Sequence, residues 1–236
     1  MNIKLSALAL GITLAYGATA AMAADTASVE QIGNFNSAVI EQWDNSGVTA
    51  SVYARGDGND GFVSQNDASR AEASISATGD RNDAVIVQQN VDYVGAYINQ
   101  GASGGDATIR QTGSSFLWWN NQGSSQWATI NQTSGWGNSA TITQTGDMVG
   151  ADINQRGYAN DAVINQHGLD HGFNEATINQ RGVRNDAYIS QNGRDLDATI
   201  SQAGGWNVAV VQQRGQGYSA SVTQVGYGNN AYVNQR

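Results

Sequence analysis

The stretch Ala27-Ser-Val29-Glu-Gln31-Ile-Gly33-Asn-Phe-Asn36-Ser-Ala38-Val-Ile40-Glu-Gln42 decides how this chain folds. It holds two copies of a five-residue motif, Ala-x-(Ile/Val)-x-Gln, joined by a short link containing Gly and Asn. The motif recurs with its first slot at Ala50, Gly61, Ala73, Ala84, Ala96, Ala107, Ala128, Ala140, Ala151, Ala162, Ala176, Ala187, Ala198, Ala209, Ala220 and Ala231, eighteen copies in all. The third slot is Ile or Val in every copy, and the fifth is Gln except at Ala54 and Ala77. Copies lie 11 or 12 residues apart, with longer gaps only before Ala128 and Ala176. A fixed short period means that each unit stacks on its neighbour, so the repeat sets the architecture.

The kept positions are every second residue, which is the period of a strand and not of a helix. The positions between them vary freely, as at Ser28, Val39, Phe62, Tyr97 and Thr108. One face is therefore constrained and the other is not. Five extended residues span roughly 17 Å, and the rest of each unit must turn. Gly stands two places after many of the Gln residues, as at Gly33, Gly157, Gly182 and Gly226, and supplies the positive φ that tight turns need. The chain has no Pro, so every backbone N–H can join a ladder.

A slower period lies over the first. Every other copy has Asn two residues before its Ala: Asn36, Asn59, Asn82, Asn138, Asn160, Asn185, Asn207 and Asn229. Gly105 breaks the rule and Asn174 adds one occurrence. The unit is thus a strand–turn–strand of 22 or 23 residues, repeated nine times. This predicts an all-β fold, a β-solenoid of nine rungs in which two parallel sheets face each other in cross-β fashion. At about 4.8 Å per rung the body is about 43 Å long.

The core chemistry follows from the kept slots. Ile or Val fills the interior, Ala lets the sheets approach, and Gln points inward with them. A buried amide left unpaired costs about 1–3 kcal/mol. Stacked at one position in successive rungs, each Gln can donate to one neighbour and accept from the other, the bonding scheme of cross-β assemblies. The expected core amide ladder comprises Gln65, Gln88, Gln100, Gln111, Gln132, Gln144, Gln155, Gln166, Gln180, Gln191, Gln202 and Gln213. The alternative places these residues on a solvated face, but their strict phase with Ile and Val favours the inward reading.

Residues 1–23 read as a secretory signal, with Lys4, an apolar stretch from Leu5 to Ala15 and Ala21-Met-Ala23 as the cleavage site. The mature chain, 24–236, then carries ten Arg against twenty acids, a net charge of −10. That balance argues against nucleic acid as a partner. Without Cys, stability in an exported chain rests on ladders and not on disulfides.

The unit Gln31-x-Gly33-x-x-Asn36-x-Ala38-x-Ile40-x-Gln42 resembles the curlin repeat, and the stretch Ser221-Val-Thr-Gln-Val-Gly-Tyr-Gly-Asn-Asn-Ala231 is similar to the closing repeat of that family's major fibre subunit. The resemblance covers nearly all of the mature chain. It implies a functional amyloid, an exported subunit that polymerises outside an outer-membrane bacterium into adhesive biofilm-matrix fibres. It also implies a dedicated outer-membrane export pore, periplasmic accessory factors and a minor nucleator subunit. Where the family's repeat usually opens with Ser, this chain has Val48, Ala71, Val94, Val149, Leu196 or Tyr218. The regular last repeat and the acidic charge favour the major subunit over the nucleator.

The two terminal repeats carry the same pattern as interior ones, so one subunit's last rung can continue as the next subunit's first. The expected polymerisation interface is Ala27, Val29, Gln31, Asn36, Ile40 and Gln42 at one end, and Val222, Gln224, Asn229, Val233 and Gln235 at the other. A non-polymerising secreted adhesin is the principal rival.

No catalytic motif or cofactor signature is present. His167 and His171, near Asp170, read as a solvated loop and not as a metal site. Insertions fall near 112–127 and 167–174; the first holds Phe116-Leu-Trp118-Trp119 and ends at Trp127, with Trp136 shortly after. These aromatics are expected to fold back on the solenoid side and be partly buried. A polysaccharide-cleaving β-helix would need a carboxylate cluster on adjacent rungs, and an ice-binding solenoid a flat Thr-x-Thr array. The sequence shows neither.

Overall fold

The computed structural model describes residues 12–16, 25–113, 125–169 and 172–236. Nineteen strands fall within them. β1 is Ile12–Tyr16, and the others pair off into rungs. β2 (Thr26–Ile32) and β3 (Ser37–Trp43) form the first rung, β4 (Thr49–Arg55) and β5 (Asp60–Asn66) the second, and β6 (Glu72–Thr78) and β7 (Asp83–Gln89) the third. Next come β8 (Gly95–Gln100) with β9 (Asp106–Thr112), β10 (Gln126–Trp136) with β11 (Ser139–Thr145), and β12 (Val149–Tyr158) with β13 (Asp161–Gly168). The last three rungs are β14 (Asn174–Val183) with β15 (Asp186–Arg194), β16 (Asp197–Gly205) with β17 (Val208–Gln216), and β18 (Ser219–Tyr227) with β19 (Asn230–Gln235).

Even-numbered strands stack into a nine-stranded sheet and odd-numbered ones into a ten-stranded sheet that begins with β1. The pairings are parallel and join like slots, as at Ala151↔Ala176, Ile153↔Ile178 and Gln155↔Gln180. The chain is a β-solenoid of nine turns, with no helix among the described residues. The insertion before Ala128 does not disturb the stack, since Ala96 still pairs with Ala128 and Ile98 with Ile130.

The Ala and Ile/Val slots form one continuous core from Ala38 to Val222, with Ala27, Val29, Ala231 and Val233 packed against its ends. Ile86, Ile98, Ile109, Ile130, Ile142, Ile153 and Ile164 are fully buried, each worth about 1.5–3 kcal/mol of transfer free energy. The slots leading into the even strands form a second apolar site. Val48, Ala71, Val94, Val149 and Leu196 are buried, and Val48, Ala71 and Val94 cluster with Ala68 and Val91. They line the corner leading from an odd strand into the next even one, while Tyr218 is half-buried.

At the opposite corner Gly33 and Gly182 have φ of 122° and 129°. A Cβ there would stand 1.9 Å and 1.8 Å from the carbonyl oxygens of Gly56 and Gly204 in the next rung. Glycine is thus required by close stacking as well as by φ. Two residues further on, Phe35, Arg81, Arg184 and Trp206 are left-handed at 53° to 58°, a strained choice for bulky residues that the stacked corner holds in place.

Ile142 lies between Ile109 and Ile164 in the ladder and is fully buried. Thr141 beside it faces outward. Ile142→Asp places a charge between the sheets and should cost more than about 4 kcal/mol, seen as loss of β structure by circular dichroism. Thr141→Asp should cost less than about 1 kcal/mol; equal losses would mean that the face assignment is wrong.

Candidate functional site

The inward Gln residues are held by the strand alternation that buries Ala and Ile beside them. In the ten-stranded sheet they form one unbroken chain. Gln42 Nε2 donates to Gln65 Oε1, Gln65 to Gln88, Gln88 to Gln111, Gln111 to Gln144, Gln144 to Gln166, Gln166 to Gln191, Gln191 to Gln213 and Gln213 to Gln235, all at 2.8–3.0 Å. Each Nε2 also donates to a main-chain carbonyl of the facing sheet, as Gln144 does to Trp127 at 2.8 Å and Gln166 to Gly150 at 2.8 Å. The amides therefore tie rung to rung and sheet to sheet.

In the nine-stranded sheet the chain runs from Gln100 through Gln132, Gln155, Gln180 and Gln202 to Gln224 at 2.9–3.1 Å. It stops short of Gln31, because the slots between hold Ala54 and Ala77. The consequence is local and visible: the buried Gln100 Oε1 and Gln31 Nε2 have no partner. Gln31 is thus at an end of the body but outside the continuous ladder.

A third ladder was missed as such in the sequence, although its slot was apparent. Asn59 donates through its N–H and Nδ2 to Asn36 Oδ1 at 2.9 and 3.2 Å, and Asn82 does the same to Asn59. Each Asn Nδ2 also reaches the corner carbonyl of the following rung, as Asn59 reaches Gly79 at 2.8 Å. At Gly105 only the backbone N–H continues the chain, to Asn82 Oδ1 at 3.0 Å. The ladder resumes as Asn138, Asn160, Asn185, Asn207 and Asn229. Its direction is opposite to that of the Gln chains. Gln donates toward the C-terminal rung, whereas Asn donates toward the N-terminal one.

These directions define the two ends. In the first rung Ala27, Val29 and Gln31 lie on β2, at the edge of the nine-stranded sheet, and Ile40 and Gln42, just after Asn36, on β3, which pairs with β1; Gln42 starts its amide chain, and Gln31 belongs to neither chain. The last rung, with Val222 and Gln224 on β18 and Asn229, Val233 and Gln235 on β19, presents Gln donors and the Asn229 Oδ1 acceptor. Ile40, Asn36, Val222 and Gln224 are already buried, whereas Ala27, Val29 and Val233 are only partly covered.

The outer surface stacks charge. Asp60, Asp83 and Asp106 stand in register on the ten-stranded sheet, as do Asp161 and Asp186. Burial, then Asp106 and Asp60, raise the Asp83 carboxyl above its ordinary value. Burial, then Asp161, raise Asp186. Burial and the Glu72 carboxylate likewise push the Tyr97 phenol up to about 12. Trp127 is half-buried against Gly150, where a Cβ would meet its Nε1 at 2.4 Å, while Trp136 is 58% exposed. Phe116 to Trp119, Asp170 and His171 lie outside the described residues. His167 is exposed, and no metal-holding group of side chains occurs among the described residues.

Two expectations follow. Gln111→Ala removes the acceptor of Gln88 and the donor to Gln144, and should cost about 2 kcal/mol or more in denaturant unfolding. The raised carboxyls make the folded state bind more protons than the unfolded one. Their favourable contribution is full below the unfolded value near 3.8 and is lost as pH rises through the raised folded value. Unfolding midpoints should therefore rise on acidification from neutrality toward the carboxylate range. Asp83→Asn with Asp186→Asn should flatten that rise.

Comparison with curated proteins finds no match. The family described as the curlin associated repeat matches twice, at residues 174–204 and 193–226, which span β14 to β18. The same slots, registers and amide ladders extend through the earlier rungs. Over residues 174–226 the chain is thus similar to the curlin associated repeat.

Proposed function

We propose that this chain is the structural subunit of an extracellular curli-type amyloid fibre, self-polymerising end to end for adhesion and biofilm matrix. The observation that carries the reading is the match between the ends. Gln224 and Gln235 have Nε2 donors pointing out of the last rung, where Gln31 and Gln42 of a following copy would offer Oε1. Asn229 Oδ1 would meet the Asn36 N–H. Continuing the register also sets β18 Ser219 beside Thr26 and β19 Asn230 beside Ser37, so no Asp column crosses the junction. Such a contact is head-to-tail and does not close, and it generates a filament.

The segment 1–23 fits this scheme as a secretory signal. Its strand β1 pairs in parallel with β3, with Ile12 opposite Ala38 and Tyr16 opposite Gln42, on the edge a preceding subunit would use. Removal of the signal frees that edge. The nucleator subunit and the outer-membrane export apparatus of the family are the further partners. The regular closing repeat and the acidic charge favour the major subunit over the nucleator.

Thioflavin kinetics on the chain lacking residues 1–23 test the reading. Replacing Gln31 and Gln42, or Gln224 and Gln235, by Ala should slow fibre growth far more than replacing Gln144 and Gln155, which should lower subunit stability instead. Growth should quicken with salt, since the subunits repel at −10 each. A chain that stays monomeric for days at high concentration, with full β structure, would replace this reading with that of a non-polymerising adhesin.

A further inference from the structure

We propose that the outer face of the nine-stranded sheet carries a groove that binds an acidic polysaccharide, a linear sugar chain with carboxylates on successive residues. The groove has a volume of about 400 Å³ and is lined by Asn131, Thr133, Asn154, Arg156, Asn179 and Arg181, with Ser201 and Ala203 at its far side. That volume lies in the range of sites for small ligands, about 300–1,000 Å³.

Two features build it. The register between β10 and β12 slips by one residue between Gln132 and Ser134, so Thr133 is a β-bulge that rims the groove. At the other side Asn179 is followed by Ser201 and Arg181 by Ala203, and the loss of side-chain length opens the floor. Between these limits lies an outward amide row. Asn99 Nδ2 donates to Asn131 Oδ1, Asn131 to Asn154 and Asn154 to Asn179, at 3.0, 2.9 and 3.1 Å. Each Nδ2 has a second hydrogen and each Oδ1 a second lone pair, which face the groove side by side as hydroxyl partners.

The charge identifies the ligand. Arg156 and Arg181 are opposite each other in the parallel register and both exposed, about 4.8 Å apart along the stack. Like charges so placed oppose each other. Neither has an ion-pair partner among the described residues, where the salt bridge joins Arg70 to Asp92. The acids nearest along their own strands on this face, Asp152 and Glu175, are four and six residues away, or roughly 13 and 20 Å. In a chain of strong net negative charge this pair is a local cationic exception. Guanidinium forks take carboxylates in two-point contacts, and two of them side by side suit a chain that carries more than one carboxylate. The lining has no aromatic residue, so the stacking platform that single-stranded nucleic acid needs is missing.

The groove lies within one subunit, so it forms whether or not solenoids join, and its test separates from that of the fibre. The full chain, soluble and assembled, is titrated with oligogalacturonate, neutral dextran and oligothymidylate. Oligogalacturonate should bind and dextran should not. Arg156→Gln with Arg181→Gln should weaken binding about tenfold or more with β structure unchanged, whereas Arg110→Gln with Arg214→Gln on the other sheet should leave it intact. The proposal is overturned if oligogalacturonate does not bind, if dextran binds as well, or if the second pair of changes weakens binding as much as the first. Tighter binding of oligothymidylate would assign the groove to nucleic acid instead.

Discussion

The fold depends on the need of a buried glutamine amide for partners. A side chain with two donors and an acceptor, set between two close sheets, finds no water there and cannot be left unpaired without cost. Stacking identical residues at the strand spacing solves this, because each Gln meets the next at 2.8–3.1 Å. The solution works only in parallel, in-register stacking. A slip of one residue would send every Gln and Ile outward. Corner glycines such as Gly33 and Gly182 serve the same requirement, since any side chain there would push adjacent rungs apart.

The ladder also shows where the solenoid is weakest. In the second rung Ala54 replaces Gln and Gly61 replaces Ala. A Cβ at Gly61 would stand 2.6 Å from Val52 Cγ1, so the sheets pack more closely at that point. Ala54 and Ala77 leave Gln31 Nε2 and Gln100 Oε1 orphaned, and Gly105 interrupts the Asn ladder one rung later. Stability in a stacked array is a sum over rungs and their neighbours. The N-terminal rungs thus have fewer side-chain links than the rungs from β10 onward, where all three ladders run without a break.

On the outside the same stacking acts on charge. Columns of Asp on the ten-stranded sheet repel along the axis, and burial together with that repulsion raises the Asp83 and Asp186 carboxyls. They also discourage lateral association of an array rich in strand edges. The Arg156–Arg181 column is the counterpart of opposite sign, and it stands on the other sheet.

The architecture was legible in the sequence because its physics is one-dimensional. Alternation gives strands, an 11-residue period gives stacked turns, and the phase of Gln with Ile places the amides inside. None of this needs distant contacts. The tertiary structure alone decided what depends on neighbours in the stack. It showed that Ala54 and Ala77 split one Gln chain while the other is unbroken, and that Asn and Gln ladders point in opposite directions. It placed Val48, Val149 and Leu196 in the interior of a corner, where the sequence had marked only a departure from pattern. The outward row Asn99, Asn131, Asn154 and Asn179 was hidden for a related reason. Its members lie 23 to 32 residues apart at positions that vary along the chain, and only the register between rungs brings them to hydrogen-bonding distance.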